Sequence, residues 1–369
     1  MRLLLVDDVD DRMDRLEAGI EQAQPTWRVT RAVDTRDAAQ LVSVAECDAI
    51  VAVGSGHPAR IVELLTQARK HRPSMLRIAV SDNEAGLAGL AKAEVAHRVL
   101  VTPLDTPRLI QSLKSVRSLE TMLGSSVLRE RIAKITRLPP APTVALALIR
   151  ENAAGTASMA SIARQVHGDA ALAAKVLQLS NSAFFSRGQP ILEIERALTR
   201  LGMDAVVNLV LAVQSFINTD LQNRAILASQ IAMQVVRDVN QTALGPVAAT
   251  ASTLAYIGRL LDVREDEVNL RSVRYDDDTP DLPVESVAGA YLLSLWGLPW
   301  PIIEAVAFHQ NPTAASEENF GLTTAVHTAC ALADGKPLDQ DWLEFLDAME
   351  HVPMWEERAL SMGCPERPN

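Results

Sequence analysis

Leu3-Leu4-Leu5-Val6-Asp7-Asp8 is a four-residue apolar run that breaks into two carboxylates. It is too short for a buried helix, and an amphipathic stretch follows at Asp11–Glu21. The same couplet recurs: Arg28–Ala32 before Thr35–Val44, Ala49–Val53 before Pro58–Lys70, then Leu76–Val80, and Val99–Val101 before a helix from Thr106. Uninterrupted apolar strands alternating with amphipathic helices predict a parallel sheet covered on both faces, here with five βα units. In such a sheet, ligands bind beyond the carboxyl ends of the strands. Those ends read Asp7-Asp8, Gly54-Ser55, Ser81-Asp82 and Thr102-Pro103.

An acidic pair after the first strand, a hydroxyl after the fourth and X-Pro after the fifth resemble the receiver domain of two-component response regulators, over Met1 to Glu120. The resemblance implies a flavodoxin-like (βα)5 fold. It also implies an aspartate nucleophile ending the third strand, a magnesium ion on the acidic pair and a lysine after the fifth strand. In this sequence Val53 or Gly54 stands in place of the nucleophile and Thr102 in place of the lysine. Ser81 takes the switch-hydroxyl position and Pro103 the proline that follows it. The expectation is a receiver-like domain that does not take up phosphate, because the cation that would offset developing phosphoryl charge is also gone. Asp7 and Asp8 alone are a poor magnesium site, since that ion requires several oxygens. Gly54-Ser55-Gly56 lacks the full phosphate-cradling fingerprint, and His57 beside it reads as a solvated loop residue.

Apolar residues at Leu109, Ile110, Leu113, Val116, Leu119 and Leu123 predict one helix closed by Gly124. Gly124-Ser125-Ser126 is read as the boundary, giving domains 1–123 and 124–340 and a tail, 341–369, expected to fray. Asp169 is expected to cap a helix carrying Leu172, Val176 and Leu179, and Asp204 another. Ile194, Leu198 and Leu201 form an apolar stripe ending at Gly202. Aromatics are only 4% of the chain, and a core short of them but rich in Ala, Leu and Val favours closely packed helices, so an α-rich architecture is expected. The class is thus α/β followed by all-α.

Leu138-Pro-Pro-Ala-Pro142, Ala163–Asp169, Leu177–Phe185 and Arg196–Gly202, with Gly289–Pro299 and His309-Gln-Asn-Pro312 beyond them, resemble an HDOD domain over about Leu128 to Gly335. The resemblance implies a helical bundle related to HD-type phosphohydrolases, used for interaction and without a full set of metal ligands. Such an enzyme needs an early histidine, an adjacent His-Asp pair and a later aspartate. The sequence has no His-Asp dipeptide, and Thr253–Arg259 puts Ala255 and Tyr256 where the pair would stand. Ser229 falls near the first histidine. Asn181, Ser182, Phe184 and Phe185, together with His309, are read as an interaction groove, with a plain core role for the phenylalanines as the alternative. His309 and His327 stand without supporting ligands, and Asp276-Asp-Asp278 with Asp281 lacks calcium-loop spacing.

The net charge of −11 excludes a broad nucleic-acid face. Three separated cysteines suggest neither disulfides nor structural zinc, and the N-terminal apolar run, which turns acidic at Asp7, is too short for a signal peptide or membrane span. The combined expectation is a cytoplasmic, non-enzymatic adaptor without cofactor or metal, a homodimer working through other signalling proteins. The alternatives are a phosphodiesterase or phosphohydrolase of HD type, and a regulator binding a nucleotide or cyclic dinucleotide.

Overall fold

The computed structural model describes residues 1–7, 10–54, 58–83, 95–135, 158–181, 190–202, 219–261, 272–273, 282–315 and 317–366, with positions 86, 89–90 and 93. By contact the chain forms two compact units, one containing Met1–Thr136 and the other most of the chain from Arg137 on.

In the first unit, β1 (Arg2–Val6), β2 (Arg28–Ala32), β3 (Ala49–Gly54), β4 (Leu76–Ser81) and β5 (Arg98–Val101) form one parallel sheet in the order β2-β1-β3-β4-β5. The order follows from the sequence of each strand. β1 from Leu3 to Val6, β3 from Ala49 to Val53 and all of β4 are buried, the first two with apolar residues alone, whereas β2 carries Arg28 and Arg31 and lies at an edge where those charges reach water. Helices α1 (Asp10–Ala23), α2 (Thr35–Val44) and α3 (Pro58–His71) follow the first three strands, and α4 (Thr106–Leu123) the fifth. The Asp34 carboxylate caps α2 by accepting from the backbone N–H of Arg36 and Asp37, both at 2.8 Å. Gly124 closes α4 in the left-handed region, φ +61°, as the sequence predicts.

Gly124 is not, however, where this unit stops. Helix α5 (Ser126–Ala133) buries Leu128, Ile132 and Ala133 and stays with the sheet. The expected boundary at Gly124 is therefore corrected to the end of α5. The anchor is Arg77, a charged residue inside β4 with 0% exposure. Its Nε donates to Val95 O at 2.8 Å, Nη1 to Pro73 O and Met75 O at 2.9 Å, and Nη2 to Ala133 O at 3.2 Å. Carbonyls at a helix end carry the negative pole of its dipole, which a guanidinium complements. His97 joins the cluster: Nδ1 accepts from the Arg77 backbone N–H at 3.0 Å, which leaves the proton on Nε2, facing Ala133 O at 2.9 Å. Burial, followed by the Arg77 charge, holds this imidazole well below its usual pKa.

The second unit consists of α6 (Met159–His167), α7 (Ala170–Ser180), α8 (Ile194–Leu201), α9 (Thr219–Asp238), α10 (Gly245–Leu254), α11 (Val284–Leu295), α12 (Trp300–Phe308), α13 (Leu322–Asp334), α14 (Gln340–Phe345) and α15 (Val352–Ser361), with a two-stranded ribbon of β6 (Ser272–Val273) and β7 (Leu282–Pro283). Asp169 caps α7 as expected, its Oδ1 accepting from Leu172 N at 3.0 Å. The α8 stripe buries Ile194 and Leu198 and ends at Gly202, φ +81°. α9 packs on α10 and α13 through small residues, among them Ala228, Ala232, Ala248, Ala251, Ala325 and Ala329, all buried. The closest approach is between backbones: an added Cβ on Gly258 would lie 1.9 Å from Glu285 O, and one on Gly289 2.9 Å from Gly258 N.

The tail expected to fray is instead helical. α14 and α15 bury Trp342, Leu343 and Trp355. Trp342 Nε1 donates to Thr324 Oγ1 and Trp355 Nε1 to Asp238 Oδ2, both at 3.0 Å. Two tryptophans with a hydrogen-bonded indole each hold this segment to α13 and α9.

Candidate functional site

The sheet register assembles the first candidate site. Val53 pairs with Val80, Gly54 with Ser81 and Ser81 with Val101, while Thr102 N donates to Ser81 O at 3.0 Å. Val6 is level with Ala52, so Asp7 emerges at the same edge as Val53, Ser81 and Thr102. The residues the sequence singled out there share one rim, with Pro103 exposed beside it across a cis peptide bond. Asp8, Ser55, Gly56 and His57 lie outside the described residues. Val53 offers that rim an alkyl group and Gly54 no side chain. Asp7 is nearly enclosed, at 4% exposure. Ser81 is also enclosed: its Oγ donates to Asn83 O at 2.9 Å, while Asn83 Oδ1 accepts from Gly86 N at 2.7 Å. Gly86 is so near that a Cβ there would stand 2.6 Å from Ser81 Oγ. The hydroxyl is committed to its own turn.

The second candidate site lies in the helical unit. Ala255 ends α10 and Tyr256 follows it, both buried. Ser229, on α9, is also buried, and its Oγ donates back to Ile226 O at 2.8 Å. What the structure adds is Asp334, at the end of α13, whose side chain is 3% exposed. Its Oδ1 accepts from Tyr256 OH at 3.2 Å, Arg259 Nη1 at 3.3 Å and Arg224 Nη1 at 3.2 Å. Oδ2 accepts from Arg259 Nη2 and lies 3.8 Å from Lys336 Nζ. The Arg259 guanidinium also stands 4.9 Å from the Tyr256 ring centre, a cation–π distance, with its Nε 3.5 Å from Glu285 Oε1.

These contacts set the protonation states. Burial acts to raise the Asp334 carboxyl, but the hydrogen bonds and charges of Arg259, Arg224 and Lys336 overcome it and hold the group below the usual carboxylate range. Burial pushes the Tyr256 phenol well above its ordinary value, so it stays a protonated donor. A divalent metal of the HD type does not fit here. Ser229, Ala255 and Tyr256 supply no imidazole or carboxylate, and the carboxylate beside them is already neutralised by guanidinium groups. Among the described residues no three His, Cys, Asp or Glu side chains gather as a metal site.

The structure places His309 inside the unit, at 4% exposure, and not on a groove. It ends α12, where its Nδ1 donates to Val306 O at 2.9 Å and its carbonyl accepts from His327 Nδ1 at 2.8 Å. His327 Nε2 in turn accepts from Asp339 N at 3.1 Å, so both histidines are packing residues that tie α12, α13 and α14. Asn181 is half-buried just after α7, and Ser182, Phe184 and Phe185 lie outside the described residues, as do Leu138–Pro142, Asp204 and the acidic residues Asp276–Asp278 and Asp281. Burial pushes the His309 imidazole down to about 4. Its unfolded value is near 6.5, so the unfolded chain takes up the proton first and stability falls as pH drops from 6.5 toward 4. The loss reaches about 3 kcal/mol at the acid end. Melting between pH 7 and pH 4.5 should show it, with a shallower decline in His309→Gln.

Residues 138–262 match the family model described as the HDOD domain. The chain carries an HDOD domain. Ser229, Ala255, Tyr256 and Arg259 fall inside that stretch; Asp334 falls after it. An uncharacterized protein of Treponema pallidum (strain Nichols) is 25% identical over 260 residues, which cover 65% of this chain and 50% of the relative. The chain thus spans about half the length of that curated relative. Among solved structures, a virulence factor of Campylobacter jejuni subsp. jejuni is similar over 67% of this chain and 94% of its own, with 17% identity and a TM-score of 0.46. The MmoQ response regulator of Methylococcus capsulatus str. Bath is similar over 60% of this chain and 98% of its own, also with 17% identity and a TM-score of 0.46. No helix among the described residues is long and apolar enough to cross a membrane.

Sequence reading missed Asp334 and Arg224, and quoted Arg259 without giving it a role. Arg224 and Asp334 are 110 positions apart, and no local pattern joins them. The one local sign was Arg259 itself, a cation three positions from a buried Tyr256 in an otherwise apolar segment.

Proposed function

We propose that this protein is a non-catalytic signalling adaptor: a flavodoxin-like, receiver-like module that is not phosphorylated, followed by an HDOD domain that works through contacts with other signalling proteins. The strand order 2-1-3-4-5 supports the flavodoxin-like reading. The observation that carries the loss of chemistry is the Asp334 carboxylate, held by Arg259 and Arg224 beside Tyr256 where hydrolysis would require metal ligands. Val53 and Thr102 support the same reading at the sheet edge, where phosphoryl transfer requires a nucleophile and a cation. A cytoplasmic homodimer within a two-component pathway completes the proposal. The test offers the full chain acetyl phosphate, and separately a panel of phosphodiesters with Mn²⁺. Neither a labelled protein nor a released product is expected.

A further inference from the structure

Among the described residues seven large apolar side chains stand out as exposed, and three of them fall in one short segment: Phe345 at 67%, Met354 at 39% and Leu360 at 48%. Phe345 shares the outer face of α14 with Asp341 and Glu344, one helical turn apart and both exposed. On α15, the exposed positions Pro353, Met354, Glu357 and Leu360 recur at helical spacing along the face opposite buried Trp355 and Ala359. Both helices therefore turn outward a mixture of large apolar groups and carboxylates.

The Phe345 ring is held in place from behind. It stacks on Trp342, ring centres 5.5 Å apart and 25° between planes, and Trp342 is itself fixed by its bond to Thr324 Oγ1 at 3.0 Å. An aromatic group fixed in advance loses little freedom on binding, which is the property of a contact that contributes heavily to affinity. The surrounding charge is one-sided. Between residues 339 and 364 seven Asp or Glu stand against one arginine, a difference of 7 − 1 = 6 negative charges before histidine is counted. That arginine, Arg358, is tied to Asp238 at 2.6 Å.

We infer that the outer face of α14 and α15 binds a basic, amphipathic protein segment, with Phe345 as its apolar anchor and Asp341, Glu344 and Glu357 as its charge partners. The sign of the charge decides between occupants. Nucleic acid and anionic membrane are repelled, and so is a second copy of a chain that carries a net −11. A partner segment with lysine or arginine on one face and leucine-like residues on the other satisfies both halves of the surface. This inference is independent of the lost chemistry at either degenerate site.

The probe is a fluorescent helical peptide of leucine and lysine, titrated into the full chain, with a leucine–glutamate counterpart as control. Binding is expected for the lysine peptide alone, weakening with salt. Phe345→Ser should weaken it roughly tenfold, and Asp341→Lys with Glu344→Lys at least as much. All three positions are exposed, so the melting temperature should move by only a few degrees, the loss of the Trp342 stack included. Equal affinity of Phe345→Ser and the unaltered chain would overturn the inference, as would binding of the glutamate peptide. Sedimentation showing a dimer that Phe345→Ser dissociates would overturn it too, by assigning the face to a second copy.

Discussion

Replacing Gly258 by alanine should destabilise the helical unit by about 3 kcal/mol or more, the upper end of what overpacking costs. The added methyl carbon would sit 1.9 Å from Glu285 O and 2.7 Å from the carbonyl carbon behind it. Those atoms belong to the first turn of α11 and have no rotamer through which to withdraw, so the turn at Ile257–Leu260 and α11 must separate. Gly289, whose own Cβ would stand 2.9 Å from Gly258 N, shows that the two backbones touch over more than one residue. Separation would also pull Arg259 away from Asp334 and Glu285, adding an electrostatic loss to the steric one. For a unit of this size the melting temperature should fall by roughly 10 °C. Gly245→Ala is the matched control: its nearest neighbour is Val236 Cγ2 at 3.7 Å, and it should melt within a few degrees of the unaltered chain.

Asp334→Ala should cost about 3 to 5 kcal/mol, the range for removing one member of a buried ion pair. The loss arises chiefly from what remains. Arg259 and Arg224, with side chains 19% and 30% exposed, would keep their charge without the carboxylate that three elements of the fold converge on. Asp334→Asn keeps a carbonyl acceptor for Tyr256 OH and should lose less. Replacing Asp334 and Arg259 together by leucine and methionine should recover part of the loss, because neither charge is then stranded; the non-additivity is the signature of direct coupling. Urea unfolding followed by tryptophan fluorescence measures all three. The sign with pH is fixed by the direction of the shift. With its folded pKa lowered, Asp334 stabilises above the unfolded carboxyl value of about 3.9, and that contribution disappears only as pH falls through the folded value. The difference in stability between the unaltered chain and the Asp334→Asn variant should therefore be constant from about pH 6 to pH 8.

How legible this molecule was from its sequence depended on how local each determinant is. Runs such as Leu3–Val6 and Ala49–Val53 disclose buried parallel strands because each residue's neighbours in the chain share its environment. Gly124, Asp169 and Gly202 mark helix ends through bonds or dihedrals within a few residues, and each stands where its type predicts. Arg77 is the counter-example: an arginine in a strand reads as an exposed edge, yet its guanidinium bonds to the carbonyls of Pro73, Met75, Val95 and Ala133 make it an interior anchor. Ala133 lies 56 positions from it, and for that reason the sequence pattern alone puts α5 on the wrong side of the boundary. The tryptophans of α14 and α15 failed similarly. Short, acidic helices look weak by propensity, and their stability comes from indole contacts to Thr324 and Asp238 far back in the chain. At the candidate site, Ala255 and Tyr256 could be singled out from the sequence, while the carboxylate and guanidinium groups beside Tyr256 could be seen only in three dimensions.

Turnover by the full chain is where these arguments meet, with phosphodiesters and cyclic dinucleotides offered in the presence of Mn²⁺ and product release followed by chromatography. The guanidinium-filled site predicts no release above the rate without protein, from the unaltered chain and from Asp334→Asn alike. Release by the unaltered chain that requires Mn²⁺ and disappears in Asp334→Asn would contradict it, and would return Asp334 to the role of a metal ligand.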